Sequence, residues 1–449
     1  MPAHTDIHEL IDRSPMSPLQ VGAIAICFLL NMLDGVDVLS LAFAAPVLAK
    51  SWSIPPETLG VVFSAALIGM FLGSLVLAPL GDSIGRRKLL IISLLLIAFG
   101  MLTTAVARTV PELLILRLIT GCGLGGVVAT MATIAAEFSP NRRRNFSVTI
   151  VQGGYPLGAT LTGLVAAVIV PAIGWWSVFV VGGGLTLLLL PLVVFALPES
   201  PQFLLHRQPP GALEAVNKSL RRMRLGQLKE LPSVAAKAHD RPRLKVLLDA
   251  LKQILSSQYR AQTLLLWIAF FLCFVTLYFL INWVPQLASA TGLPLKLAIY
   301  TGTAFNFGGF LGMAALGYLS DRFGLRLIIA GSLAAGAVLM ALFGVLHSPW
   351  AILLGVGVLG VMQGGFIALY AVAARLYPTS IRATGVGWAV AAGRPGGILG
   401  PIAAGFLVGA GLSMTESFAV FAVPIALATI AVVLIRSPQL DAAAAQAQP

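Results

Sequence analysis

The sequence predicts an all-α membrane protein with twelve transmembrane helices in two pseudo-symmetric six-helix halves. Three observations carry this expectation. The 449-residue chain is 58% hydrophobic and only 10% charged, and its mean hydropathy of +0.93 is far above that of a water-soluble fold. Apolar stretches long enough to cross a bilayer recur in a six, loop, six pattern. A loop sequence from the first half also returns in the second at a nearly constant offset.

The apolar stretches fall at about 20–48, 57–80, 88–107, 111–137, 146–169 and 174–197. Beyond a polar stretch they resume at about 259–288, 297–319, 326–345, 350–376, 383–408 and 416–436. Each is about 20 residues or longer, enough for the ~30 Å hydrocarbon core at ~1.5 Å per residue. The expected organisation is an N-terminal tail (1–18), a first bundle (19–198), a central loop (199–258), a second bundle (259–436) and a C-terminal tail (437–449). No cleavage site follows the first apolar run, so span 1 is expected to remain in the membrane.

Basic residues collect in alternate connections: Arg86, Arg87 and Lys88 between spans 2 and 3, Arg142, Arg143 and Arg144 between spans 4 and 5, and Arg221, Arg222, Arg224, Arg241, Arg243 and Lys245 in the central loop. The opposite connections hold only Lys50, Arg108 and Lys296. The positive-inside rule therefore places both termini and the central loop in the cytoplasm. It also explains the net charge of +12 without a nucleic-acid partner. Cys27, Cys122 and Cys273 lie inside apolar segments at no metal-ligand spacing and read as packing residues.

The repeat is local and specific. APLGDSIGRRK at 78–88 returns as GYLSDRFGLRL at 317–327, matching Asp82 with Asp321 and Gly85 with Gly324; SPNRRR and YPTSIR match Pro140 with Pro378 and Arg144 with Arg382. Two parallel halves related by an axis along the membrane normal would produce this.

Against that apolar background, NMLDGVDVLS at 31–40 carries two carboxylates in mid-span. An ionised carboxylate at the centre of a bilayer helix costs roughly 2.5–3.5 kcal/mol on insertion scales, so such groups face a bundle interior or a wet cavity. Spacing of three puts Asn31, Asp34 and Asp37 along one helix face. At an offset of 238 their counterparts in the second half are apolar, Leu272 and Val275 for the two aspartates, so the acid pair is no part of a duplicated scaffold. Arg117 and Arg394 are the arginines well inside spans, and each must be paired or wet. No HExxH, Walker loop, nucleophile elbow or buried histidine pair is present, which argues against an enzyme.

The loop GDSIGRRK, its weaker copy SDRFGLR, the RLITGCGLGG of span 4 and ALPESPQFLL after span 6 resemble the major facilitator superfamily along essentially the whole chain, with Ala78 where the first loop usually begins with Gly. LDGVDVLSLAFAAP in span 1 and AAGRPGGILGP in span 11 are similar to its aromatic acid:H+ symporter family. The span-5 sequence GGYPLGATLTG departs from the pattern of drug antiporters.

The resemblance implies a monomeric, proton-coupled importer of an aromatic carboxylate in the inner membrane, with membrane lipid around it and no cofactor beyond the coupling ion H+. Another organic anion or a sugar-like solute is the alternative cargo. Asp34 and Asp37 are then expected to couple protons, as two close, partly desolvated carboxylates that titrate together. Arg394 is expected to hold the substrate carboxylate, and Arg117 either tunes the aspartates or touches substrate. Asn31, Gln152, Tyr155, Tyr278, Asn282, Trp283, Asn306, Gln363 and Tyr370 supply rings and polar groups for the substrate cavity. Asp82, Arg86, Glu137, Arg144, Asp321 and Arg382, at the cytoplasmic ends, are expected to form the inner gate.

Overall fold

The computed structural model describes residues 11–12, 14–231, 249, 251–378 and 381–435, without the side chains of Asn145, Asp321 and Ala383. The basic residues Arg241, Arg243 and Lys245 and the tail 437–449 lie outside the described residues.

Among the described residues the regular structure is helical throughout. Helices α1 (Pro18–Trp52), α2 (Pro56–Ile84), α3 (Arg86–Thr104), α4 (Val110–Glu137), α5 (Asn141–Gln152), α6 (Gly154–Ile173) and α7 (Ser177–Phe195) are followed by the short α8 (Pro201–Arg207) and α9 (Ala212–Arg222). Then come α10 (Arg260–Ala290), α11 (Leu295–Phe323), α12 (Leu325–Ala341), α13 (Pro349–Leu376), α14 (Arg382–Gly409) and α15 (Met414–Leu434). Nine of these segments, with α5 and α6 taken together, are long and apolar enough to cross a membrane, and α12 is a shorter apolar helix. Helices α11 and α14 occupy the positions expected for spans 8 and 11.

Local sequence explains the helix ends. Thr109, Ser348 and Ser413 accept the first free backbone N–H groups of α4, α13 and α15, and Ser413 completes a reciprocal capping box with Glu416. The turns from α2 to α3 and from α11 to α12 pass through Gly85 (φ 104°) and Gly324 (φ 89°), left-handed positions that a Cβ would strain. The repeated loop is thus a repeated turn.

Span 5 differs from the expected continuous helix: it divides into α5 and α6 at Gly153. Pro156 has no N–H for the helical bond to the Gln152 carbonyl, and its ring crowds that carbonyl, so the ladder is interrupted there.

The chain divides into two compact units: Met1–Ser40, Ala65–Ala159 and Trp176–Ala238 form unit 1, and Leu41–Ser64, Thr160–Trp175 and His239–Pro449 form unit 2. Within unit 1, α2 and α4 meet at glycines. A Cβ on Gly69 would collide with the Leu118 carbonyl, one on Gly73 with Cys122, and one on Gly121 with Ala66. Within unit 2, the same seam joins α11 and α13: Gly308 against Gly357, Gly312 against Val361 and Gly360 against Phe305. Every one of these residues lies 239 positions after its counterpart, so the duplication extends to individual backbone contacts. A second seam is duplicated as well. Gly158 of α6 rests on the Met32 carbonyl of α1, and Gly396 of α14 rests on the Phe271 carbonyl of α10. This contact sets the register of α1 and α10 at 239, the offset of the 78–88 loop and one more than the 238 applied to the aspartates above, and so makes Cys273 and Thr276 the counterparts of Asp34 and Asp37. Both are uncharged, and the asymmetry of the acid pair stands.

Candidate functional site

In unit 1, Asp37 and Arg117, two of the charges for which the sequence demands partners, pair with each other. Asp37 and Arg117 are each 0% exposed. The guanidinium holds the carboxylate in a two-pronged bridge, Nη1 to Oδ1 at 3.0 Å and Nη2 to Oδ2 at 2.6 Å. The Arg117 guanidinium also lies 5.6 Å from the centroid of the Phe179 ring on α7, a cation–π contact that offsets part of its desolvation. The glycines of α4 also let α2 come into backbone contact with it. Asp34, one turn earlier on the same face of α1, is 5% exposed.

Asn31, a further step along that face, meets the break in span 5. Its Nδ2 donates to the Val151 carbonyl at 2.6 Å and lies 3.4 Å from Gln152 Oε1. Here α1 and α6 touch backbone to backbone: a Cβ on Gly154 would lie 2.5 Å from the Phe28 carbonyl, and one on Gly35 would collide with that of Tyr155. Asn31, Gln152 and Tyr155 are therefore brought together by a rigid contact.

In unit 2, the GRPGG sequence of α14 is shaped by its neighbours. A Cβ on Gly393 would lie 2.8 Å from the Phe274 ring, and one on Gly397 2.9 Å from the ring of Tyr278. These rings belong to a continuous aromatic cluster. Phe274 stacks on Tyr278 (5.8 Å) and meets Phe366 edge to face (5.0 Å), while Phe270 meets Tyr370 edge to face (5.2 Å). Arg394 is half-buried, and its charge acts on the Tyr370 hydroxyl. The structure thus gathers Arg394, Tyr278 and Tyr370. It adds Phe270, Phe274 and Phe366, which the sequence reading passed over, although Phe270, Phe274 and Tyr278 recur at intervals of four on one helix face.

The remaining substrate candidates have different surroundings. Trp283 is fully buried, its Nε1 donating to the Pro401 carbonyl at 3.0 Å and its ring 5.5 Å from that of Phe63. Asn282 and Asn306 donate back along their own helices, to the carbonyls of Tyr278 and Gly302. Gln363 is 6% exposed, and its Nε2 makes no hydrogen bond among the described residues.

At the end bearing the basic loops, Arg86 bridges Asp82 at 3.1 Å and Glu137 at 3.4 Å. The PESP sequence completes this cluster. Glu199 accepts from the backbone N–H groups of Arg86 and Arg87 at 2.9 and 3.2 Å, capping α3, and the Ser200 hydroxyl donates to Glu137 while accepting from Phe203 N–H. Arg207 of α8 adds a bond to the Asp82 carbonyl at 2.9 Å. Glu199, Ser200 and Arg207 were missed as members of this group because their distance along the chain hides it. Arg144 is half-buried, with an Nε that makes no hydrogen bond among the described residues. Arg382 is exposed at the start of α14, and the Asp321 side chain lies outside the described residues.

The sequence matches the Major Facilitator Superfamily over residues 27–314 and 266–448. It is 36% identical to the 4-hydroxybenzoate transporter PcaK of Pseudomonas aeruginosa, across 96% of this chain and 95% of that protein. It is 34% identical to the gallate transporter of Pseudomonas putida, across 100% and 98%. Its structure is similar to that of the xylose transporter XylE from E. coli, with a TM-score of 0.72 at 19% identity, covering 92% of this chain and 97% of that one.

Proposed function

Because the chain belongs to the major facilitator superfamily and, within it, to the aromatic acid:H+ symporter family, we propose that it imports a hydroxybenzoate-like aromatic carboxylate together with protons by alternating access. In this reading it is a monomeric carrier with twelve spans and cytoplasmic termini in the inner membrane, and H+ is its only coupling species. The relatives' substrates, 4-hydroxybenzoate and gallate, are both benzoic acids bearing ring hydroxyls.

The observation that carries the reading is the setting of Arg394 among rings. A guanidinium fork matches a carboxylate in two hydrogen bonds, and each ring-on-ring contact adds about 0.5–1.5 kcal/mol beyond burial. Arg394 and the cluster of Phe270, Phe274, Tyr278, Phe366 and Tyr370 supply both chemistries from one unit.

Energetics then require the proton. The inside-negative potential opposes entry of a monoanion by about 2.3 kcal/mol per 100 mV; one accompanying proton cancels that work and leaves the pH gradient, about 1.4 kcal/mol per unit, to drive uptake. Both oxygens of Asp37 are held by Arg117; the exchanged proton is assigned to Asp34, the buried carboxylate one turn earlier on α1, with Asp37 and Arg117 tuning it. An ionised Asp34 opposes closure of apolar walls around it, and protonation lifts that opposition. The cluster of Asp82, Arg86 and Glu137 with Glu199 and Ser200 would serve as a latch at the cytoplasmic end, and Arg144, Asp321 and Arg382 are the further gate candidates.

The test is uptake of radiolabelled 4-hydroxybenzoate into proteoliposomes with and without an inward proton gradient, competed by a panel of aromatic acids and a sugar. Gradient-dependent uptake blocked by the aromatic acids is expected. Uptake indifferent to the gradient, or blocked by the sugar alone, contradicts the reading.

A further inference from the structure

The interrupted helix of span 5 has a consequence for which acids the carrier prefers. Gln152 lies six residues inside the apolar stretch that begins at 146, about 9 Å along a helix and within the ~30 Å hydrocarbon layer. It is nevertheless exposed. A primary amide at that depth is tolerated where it borders water and not where it borders lipid tails, so the exposed side of Gln152 borders a wet cavity. The same residue carries a second polar group, its backbone carbonyl, which Pro156 cannot engage for want of an N–H. Asn31 holds the neighbouring Val151 carbonyl at 2.6 Å and lies 3.4 Å from Gln152 Oε1. Backbone contact between Gly154 and Phe28 fixes this arrangement to α1.

We propose that the break at Gln152–Gly153 is a hydroxyl-recognition subsite, in which the Gln152 amide and the Gln152 backbone carbonyl bind a phenolic hydroxyl on the substrate ring. The inference rests on the aromatic-carboxylate reading above and refines it, adding recognition of the ring substituent within unit 1. A phenol both donates and accepts. Its O–H suits the freed carbonyl, its oxygen suits the amide N–H, and an unsubstituted ring satisfies neither. Because the site borders water, the discrimination is that of about one net hydrogen bond, roughly tenfold, and not the far larger rejection produced by a sealed polar pocket.

Initial uptake of radiolabelled 4-hydroxybenzoate and of benzoate is to be compared in proteoliposomes for the unaltered carrier, Gln152→Met and Pro156→Ala. Met keeps the length of Gln and its preference for helix but removes its hydrogen bonds. Ala restores the N–H that reclaims the Gln152 carbonyl. The unaltered carrier is expected to favour 4-hydroxybenzoate about tenfold in KM, and both variants to shrink that preference by weakening 4-hydroxybenzoate alone. Equal loss for the two acids, or an intact preference in Gln152→Met, overturns the subsite while leaving the transport function in place. Transport of neither acid by the unaltered carrier overturns the functional reading on which it rests.

Discussion

At the scale of single residues, the site is governed by charges that the membrane will not tolerate alone. Arg117 and Asp37 solve this for each other with a two-pronged bridge, and removing one leaves the other stranded. Arg117→Ala should therefore lower stability by about 3–5 kcal/mol, seen as a large drop in the thermal unfolding temperature of the purified carrier. Replacing both at once, by Asp37→Asn with Arg117→Gln, should recover much of it. Arg394 is half-buried beside rings and is expected to act on substrate more than on stability. Arg394→Ala should weaken 4-hydroxybenzoate binding by about 10- to 100-fold, the value of a charge-assisted hydrogen bond, and its methyl ester much less; calorimetry on both ligands checks this, and equal loss would identify a structural role. The need for partners was legible in the sequence because mid-span charges are expensive. Which arginine takes which carboxylate was not, since helix rotation decides it and composition carries no record of rotation.

At the scale of elements, glycine sets the spacing. The seam of α2 on α4 and that of α11 on α13 use glycines 239 residues apart to bring backbones within reach, so the span-4 motif RLITGCGLGG is first a packing device. A Cβ with branches cannot fit there, and overpacking of this kind costs about 1–3 kcal/mol or more. Gly121→Val and Gly360→Val should each lower the unfolding temperature, and by similar amounts, because each meets a backbone carbonyl at the equivalent place. The sequence displayed these glycines without saying what they approach. Span 5 was legible as an apolar stretch, yet its division at Gly153 was not, because a proline in a membrane helix either kinks or breaks it and the sequence does not say which. The PESP segment was legible as a motif alone; its function as the cap of α3 through Glu199 depends on a contact across more than a hundred residues.

At the scale of the whole molecule, a duplicated scaffold carries unduplicated chemistry. The loops, their left-handed glycines and the glycine seams repeat between halves, which is why the fold could be read from the sequence: hydrophobic length, alternating basic loops and an internal repeat all pointed to one architecture. The aspartates and Arg117 lie in unit 1, with Cys273, Thr276 and Val356 at the equivalent places of unit 2, and Arg394 lies in unit 2, its counterpart in unit 1 being Pro156. Departures from internal symmetry therefore marked the candidate site in the sequence, whereas the aromatic cluster did not show there because its rings come from two helices and Arg394 from a third.

The central claim is that Asp34 carries the coupled proton, and its most direct test separates accumulation from exchange. In proteoliposomes, Asp34→Asn should abolish 4-hydroxybenzoate accumulation driven by an imposed pH gradient while retaining counterflow of labelled for unlabelled substrate, because a permanently neutral side chain still allows the loaded carrier to reorient. Undiminished gradient-driven accumulation by Asp34→Asn, with normal amounts of protein in the membrane, would contradict the account.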